Sequence, residues 1–136
     1  MNLHEIRVKD EELEWDDDVT IYEGNPFSGI AYRNYPNGNC EFEFQYVNGF
    51  RQGIQREFFD NTDVKEEWVA ERGAAIGEVK KWHNNGQLKS VGNYEFGAEL
   101  SYDEWDIGGK LIESRRIDKD SELMKYVGRM RERASQ

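Results

Sequence analysis

The chain has 136 residues, a length that fits one domain with a single modest core. Its formal net charge of −10 at pH 7 disfavours binding to nucleic acid and to anionic membrane surfaces. Cys40 is the single cysteine, which excludes an internal disulfide and a thiol-based metal cluster and favours a reducing compartment.

The charge is distributed unevenly along the chain. Residues 1–24 hold nine acids and two bases, whereas residues 115–136 hold four acids and seven bases. The first residues lack the apolar stretch of a secretory signal, and no segment has the length of a membrane span. We therefore expect a cytoplasmic protein with an acidic N-terminal segment at residues 1–19. Its association with a basic partner should be fast and sensitive to salt.

Glycine recurs in the middle of the chain with a fixed step of 24 residues. Two interleaved series share this step: Gly29, Gly53 and Gly77, and Gly49, Gly73 and Gly97. One period in two series indicates a repeat protein whose copies stack to share a core. We predict a single domain over residues 1–136, with hairpin repeats over residues 20–117.

Each copy has the pattern of strand, tight turn, strand and second turn. In the first copy, residues 29–35 precede the turn Pro36-Asn37-Gly38, and residues 39–46 form the return strand. The period of two along the return strand predicts one shared face for four side chains: Cys40, Phe42, Phe44 and Tyr46. The opposite face is polar and is expected to meet water.

The later copies depart from this pattern at particular positions. Thr62 replaces the turn glycine of the second copy, where we expect a longer or bulged hairpin, and Ser101 stands where the fourth copy should have glycine. Glu66 and Glu113 fall in the column of Phe42, so an apolar position has become acidic. Either the face opens there or a partner uses it.

The tail at residues 118–136 changes to helical spacing. The apolar positions on one stripe are Leu123, Tyr126, Val127 and Met130. Asp120 or Ser121 could cap the helix, and Gly128 costs about 1 kcal/mol relative to Ala, so docking against the open end or one face of the sheet is expected. The fold class is therefore all-β, with repeated antiparallel β-hairpins in one twisted sheet, free to curve, and a C-terminal α-helix.

The motifs at the turns resemble a known repeat family. They are Tyr22-Glu-Gly-Asn-Pro-Phe-Ser-Gly29, Tyr35-Pro-Asn-Gly38, Tyr46-Val-Asn-Gly-Phe-Arg-Gln-Gly53 and Trp82-His-Asn-Asn-Gly-Gln-Leu88. Over roughly residues 13–112 the pattern is similar to the variant MORN repeat, in the form found in bacterial antitoxin and immunity proteins of toxin systems. The acidic lead-in Leu13-Glu-Trp15-Asp-Asp-Asp18 looks like that group as well. The resemblance implies a protein-binding role and transfers no catalytic residues.

Catalytic and metal-binding interpretations find little support in the residues. The two histidines, His4 and His83, are far apart in sequence, and His83 occupies an aromatic slot that Tyr35 and Phe59 fill in other copies. Residues 16–18 lack the glycine and the closing glutamate of an EF-hand calcium loop. We therefore predict no enzyme activity, no cofactor and no metal.

We expect the chain to act by binding another protein. The resemblance and the net charge favour an immunity or antitoxin protein, a monomer when free, that neutralises a cognate toxin by occluding a basic surface. A structural scaffold or self-associating module of MORN-repeat type stays open as the alternative. Since aromatic anchors beside charge are common in hot spots, six residues are expected to contact the partner: Asp16, Asp17, Asp18, Glu66, Glu67 and Trp68.

Overall fold

A computed structural model describes residues 6–136. The elements in chain order are β1 (Arg7–Lys9), β2 (Glu14–Asp16), β3 (Val19–Tyr22), β4 (Asn25–Pro26), β5 (Gly29–Asn34), β6 (Cys40–Val47), β7 (Phe50–Phe58), β8 (Val64–Glu71), β9 (Ala74–Trp82), β10 (Leu88–Glu95), β11 (Ala98–Trp105), β12 (Leu111–Arg116) and the helix α1 (Glu122–Ala134). The predicted array of antiparallel hairpins with a C-terminal helix is confirmed.

Nine of these strands form one open sheet in the order β1-β5-β6-β7-β8-β9-β10-β11-β12. From β5 onward each strand pairs antiparallel with the next one in the chain. Two-residue turns with positive φ at both positions connect the hairpins, as at Asn48 (φ 50°) and Gly49 (φ 87°). This is the type I′ geometry, whose twist matches that of the flanking strands.

The loop inside each hairpin ends on a residue with positive φ. Gly38 and Gly86 have φ of 91° and 87°, and Thr62 has φ of 81° in the equivalent place. The Thr62 N–H donates to Phe59 O at 3.0 Å, as the Gly86 N–H donates to His83 O. Of the two expectations for the Thr62 hairpin, a longer loop is wrong and a bulge is present, although the same register shift recurs in every copy and is not peculiar to Thr62.

The acidic N-terminal segment contributes strands to both sheets. β1 pairs parallel with β5 through Val8 and Ala31, while β2, β3 and β4 form a separate small sheet. Apolar residues from both parts bury against the start of the large sheet. This core consists of Val8, Leu13, Phe27, Ala31, Phe42, Phe44 and Tyr46. We call the face of the large sheet that carries Phe42, Phe44 and Tyr46 the front face, and the opposite one the back face.

Helix α1 packs beside the turn ends of the middle strands. The Ser121 hydroxyl accepts a hydrogen bond from the Met124 N–H at 3.1 Å, so Ser121 is the cap. Val127 is fully buried, and Arg131 donates to both carboxylate oxygens of Glu95 at 2.6 and 2.8 Å. The helix does not cover the last strand, where one of its two expected positions lay, since all six residues of β12 are exposed.

Thr62 generates a test of the turn geometry. A β-branched residue with positive φ is strained by roughly 1–2 kcal/mol, so Thr62→Gly should raise the free energy of unfolding by about 1 kcal/mol. Urea unfolding measures the change. The matched control is Gly86→Thr, where an added Cβ meets nothing within 4 Å and only the backbone conformation is affected. It should lower stability by a similar amount, and an unstabilised Thr62→Gly variant would contradict the assignment.

Candidate functional site

A shallow groove of about 370 Å³ lies on the front face over the middle and later strands, beyond the part that the small sheet covers. Its charged and aromatic lining residues are Arg51, Glu66, Trp68, Lys81, Tyr94 and Tyr102. Aromatic rings with a few convergent polar groups are typical of surfaces that bind a ligand or a partner. This groove is the candidate functional site.

Small side chains in the middle of the sheet create the groove. Val79 on β9, Gly92 on β10 and Tyr102 on β11 are direct cross-strand neighbours on the front face. Trp68 on β8 and Tyr102 on β11 are three strands apart, so about 14 Å separates their backbones at the normal strand spacing. A Cβ on Gly92 would lie 2.8 Å from the Tyr94 ring, so a larger residue there would require that ring to move. The floor of the groove at Val79 and Gly92 is therefore low, and Trp68 and Tyr102 form its two aromatic sides.

Arginine side chains stack on the aromatic rings at both sides of the groove. The Arg51 guanidinium carbon lies 4.1 Å from the Phe44 ring centroid and 5.9 Å from that of Trp68. Arg115 lies 4.1 Å from the Tyr102 centroid. Cation–π contacts at such distances contribute about 0.5–1 kcal/mol at exposed sites and hold the planar groups in place. The rings are thus fixed before any partner arrives.

Two carboxylates face each other at one end of the groove. Glu57 on β7 lies directly opposite Glu66 on β8. The Glu66 side chain is 22% exposed, and the Lys81 ammonium group lies 3.5 Å from its carboxylate. Burial, and after it the repulsion from Glu66, raises the pKa of Glu57 above its ordinary value. Lys65 and Arg51 act in the opposite direction, but they do not offset burial and the repulsion from Glu66 together.

The structure separates the residues that the sequence suggested for partner contact. Glu66 and Trp68 both line the groove. Glu67, between them in sequence, lies on the back face opposite Arg56, whose Nε donates to its carboxylate at 2.6 Å. The alternation of side chains along a strand is the physical reason. Three consecutive residues on one strand cannot share a surface.

The other three predicted contact residues lie on the hairpin of the small sheet. Asp16 ends β2, Asp17 has φ of 52° in the turn, and all three aspartates are exposed. Trp15 precedes them and is 63% exposed, although it pairs with Thr20 in the sheet. This hairpin therefore carries an exposed tryptophan and three exposed carboxylates, separate from the groove.

His83 has the structural role that its place in the repeat predicts. Its Nε2 lies 2.9 Å from the Trp105 carbonyl oxygen, as the Tyr35 hydroxyl donates to the Phe58 carbonyl at 2.6 Å two hairpins earlier. His4 lies outside the described residues. Within residues 6–136 no cluster of three or more His, Cys, Asp or Glu side chains is arranged to hold a metal ion. No helix in this part of the chain has the length and apolarity needed to cross a bilayer.

A larger cleft, of about 740 Å³, separates α1 from the turn ends of the sheet. Ile76, Phe96 and Tyr126 give it a largely apolar lining. The Glu95 and Arg131 groups at this cleft are already paired with each other. The cleft thus follows from the way the helix docks. The groove on the front face is the stronger candidate site, because two carboxylates face each other at its end.

Sequence reasoning missed four groove residues, Arg51, Lys81, Tyr94 and Tyr102, and also Glu57 opposite Glu66. The repeat did contain a signal for Glu57. Glu66 was recognised in an apolar column, and pairing the strands around the loop at residues 60–62 places Glu57 beside it. Arg51 and Lys81 carried no comparable signal, because charged side chains alternate along most of these strands.

Comparison with known proteins identifies no family for this chain. No family model matches it, and no curated protein matches its sequence. Among solved structures, its fold is similar to part of a chain in the crystal structure of accessory secretory proteins 1, 2 and 3 of Streptococcus pneumoniae, with 17% identity and a TM-score of 0.37. The alignment covers 88% of this chain and 21% of that one. This similarity is too low to indicate a function.

The facing carboxylates predict that Glu57→Gln stabilises the protein. Removing the repulsion should raise the free energy of unfolding by about 0.5 kcal/mol at neutral pH. Because the folded-state pKa of Glu57 is raised, its penalty develops as pH rises from the unfolded pKa through the folded one. The unfolding curves of variant and parent should therefore converge in acid.

Glu67→Gln is the matched control, since Glu67 is bonded to Arg56 on the other face. Chemical unfolding across a pH series measures both variants. A Glu57→Gln variant that is no more stable than Glu67→Gln at neutral pH would contradict the interpretation of the groove charges.

Proposed function

We propose that this chain is an immunity or antitoxin protein that binds a cognate, basic toxin through the front face. The observation that carries the proposal is the facing pair Glu57 and Glu66 beside Trp68 at the groove. A lysine or arginine side chain of the partner would neutralise this pair while its stem packs on the tryptophan ring. The partner's active or substrate-binding surface would then be covered.

Two further features support a basic partner. Trp15 with Asp16, Asp17 and Asp18 supplies a second acidic and aromatic contact, and the net charge of −10 would steer a cationic protein toward the chain. The resemblance of the turn motifs to immunity proteins agrees with this role. On the same grounds we propose a cytoplasmic protein without enzymatic activity, whose effect is occlusion alone.

Affinity purification of the tagged chain from its native cells at low salt tests the proposal. A single basic partner, recovered in stoichiometric amount and released at high salt, is the expected result. Recovered partners should rebind the purified chain and lose their toxic activity as they do so. Recovery of copies of the chain alone would overturn the proposal.

Variants of the two tryptophan surfaces locate the contact. Trp68→Ala should weaken partner binding by about 2 kcal/mol, roughly thirtyfold in Kd, if the ring is a hot spot. Replacing Asp16, Asp17 and Asp18 by Asn should slow association and flatten its dependence on salt. Calorimetry and stopped-flow binding measure the two effects.

Glu67→Gln serves as the control because it removes the same charge from the back face. If the partner docks on the front face, Glu67→Gln should bind it with the affinity of the wild type. Equal losses for Glu67→Gln and Glu66→Gln would show that the partner does not distinguish the two faces, against the proposal.

A structural scaffold is the second candidate, and one observation favours it. The outer edge of β12 is exposed along its whole length. An open strand edge can pair with another chain, and pairing of β12 with the β1 edge of the next copy could repeat to build larger assemblies. A scaffold should form particles that grow with concentration beyond any small closed oligomer, which light scattering on the isolated chain would detect.

A further inference from the structure

The last strand of the large sheet has an unused pairing edge. β12 pairs with β11 from Ser101 opposite Arg116 to Trp105 opposite Leu111. Within residues 6–136 no strand lies on the other side of β12. Leu111 and Ile112 are 51% and 54% exposed, and backbone N–H and C=O groups along this edge face solvent.

The two ends of the sheet are unequal. The other terminal strand, β1, has three residues and pairs parallel with β5. β12 has six residues, so each chain presents one long edge. When two chains join through their β12 edges, only the short β1 edges remain free at the ends of the sheet. The assembly therefore closes at two copies.

Charge selects one register for such a pair. A two-fold axis perpendicular to the sheet places one β12 residue opposite its own counterpart, so the candidates at the centre are Glu113, Ser114 and Arg115. Centring on Glu113 or Arg115 sets like charges against each other, which is destabilising. Centring on Ser114 places Glu113 of each copy opposite Arg115 of the other, and Leu111 opposite Ile117.

The side chains involved are already positioned for this contact. Glu113 and Arg115 share the front face, because they pair with Glu104 and Tyr102 on β11. The Arg115 guanidinium is held by Glu99 at 2.9 Å and by stacking on Tyr102 at 4.1 Å. Glu113 of the same chain also lies 3.4 Å from Arg115, so in the pair each Arg115 would lie between the Glu113 carboxylates of both copies.

We infer that β12 binds β12 of a second copy in the Ser114-centred register, forming a closed dimer with one continuous sheet. The inference goes beyond the proposed function and does not rest on it, because no β12 residue lines the groove. The strands are short, and the contact is smaller than the roughly 800 Å² per partner of a standard interface. The dimer is therefore weak, with monomer prevailing in dilute solution.

Sedimentation velocity of the full chain over a wide range of concentration tests the inference. The wild type should pass from monomer to dimer and no further. Glu113→Arg and Arg115→Glu should each weaken dimerisation about tenfold, since each places like charges opposite one another twice in the dimer. The variant carrying both substitutions should regain most of the wild-type affinity, because the opposite charges are restored with their positions exchanged.

Glu78→Arg is the matched control. It makes the same change of charge on the back face of the central strand β9, where the side chain is 55% exposed. Its dimerisation should differ little from that of the wild type. Circular dichroism on every variant shows whether the sheet is intact. Should a single charge variant fail to fold, the doubly substituted chain and the cysteine test below still decide.

A cysteine placed on the proposed axis gives an independent readout. In a Cys40→Ser background, Ser114→Cys should form a disulfide-linked dimer on mild oxidation, because the Cα atoms of opposite residues lie about 4.5–5.5 Å apart, within the range that a disulfide spans. Ile112→Cys should not, since its counterpart lies four residues away along the partner strand. A wild type that stays monomeric throughout, a failed charge exchange, equal cross-linking at both positions, or growth past a dimer would each overturn the inference.

Discussion

Positive φ angles at the turns fix where each strand begins and ends. With Asn48 and Gly49 in a two-residue turn and Gly38 ending a three-residue loop, the register of neighbouring strands has little freedom. A slip of one residue would transfer a whole row of side chains to the other face. The front face therefore depends on the turns, including the position of Glu57 opposite Glu66 and the low floor at Gly92.

Apolar burial is concentrated at one end of this array. Phe27, Phe44 and Tyr46 lie in the covered core, whereas the later strands hold only scattered buried side chains such as Ala70 and Ala98. In the later strands, backbone hydrogen bonds, ring stacking and cross-strand ion pairs supply more of the stability, and each contributes little individually. Local stability should decline from the covered end toward β12. The surface suited to recognition is thus on the less stable half.

The repeat made most of the fold predictable, because glycine spacing and alternation act locally. The hairpins, the shared face of Phe42 and Phe44, and the helix with its Ser121 cap all follow from neighbouring residues in sequence. The parallel pairing of Val8 with Ala31 does not, since it joins distant segments and an acidic stretch gives it no periodic signal. The positive φ of Thr62 was not predicted either, because the surrounding loop imposes a backbone conformation that threonine itself disfavours.

The candidate site was only partly predictable for a related reason. Glu66 and Trp68 could be chosen as an acid and an aromatic residue near each other, but Glu67 was chosen with them although the strand turns it away. The charged neighbours of Glu66 come from other strands, with Glu57 on one side and Lys81 on the other. Sequence proximity cannot supply such neighbours unless the register of all three strands is known first.

The turn at Gly49 differs from its equivalents in what surrounds it. A Cβ on Gly49 would lie 2.4 Å from the Val19 side chain, whereas one on Gly73 would meet nothing within 4 Å. The turn at Gly49 thus packs against β3 of the small sheet, whereas the turn at Gly73 has no such contact. Arrays of this design can gain or lose a middle hairpin without loosening the covered end. Changes of length in steps of two strands would then alter how far the front face extends while the covered end stays the same.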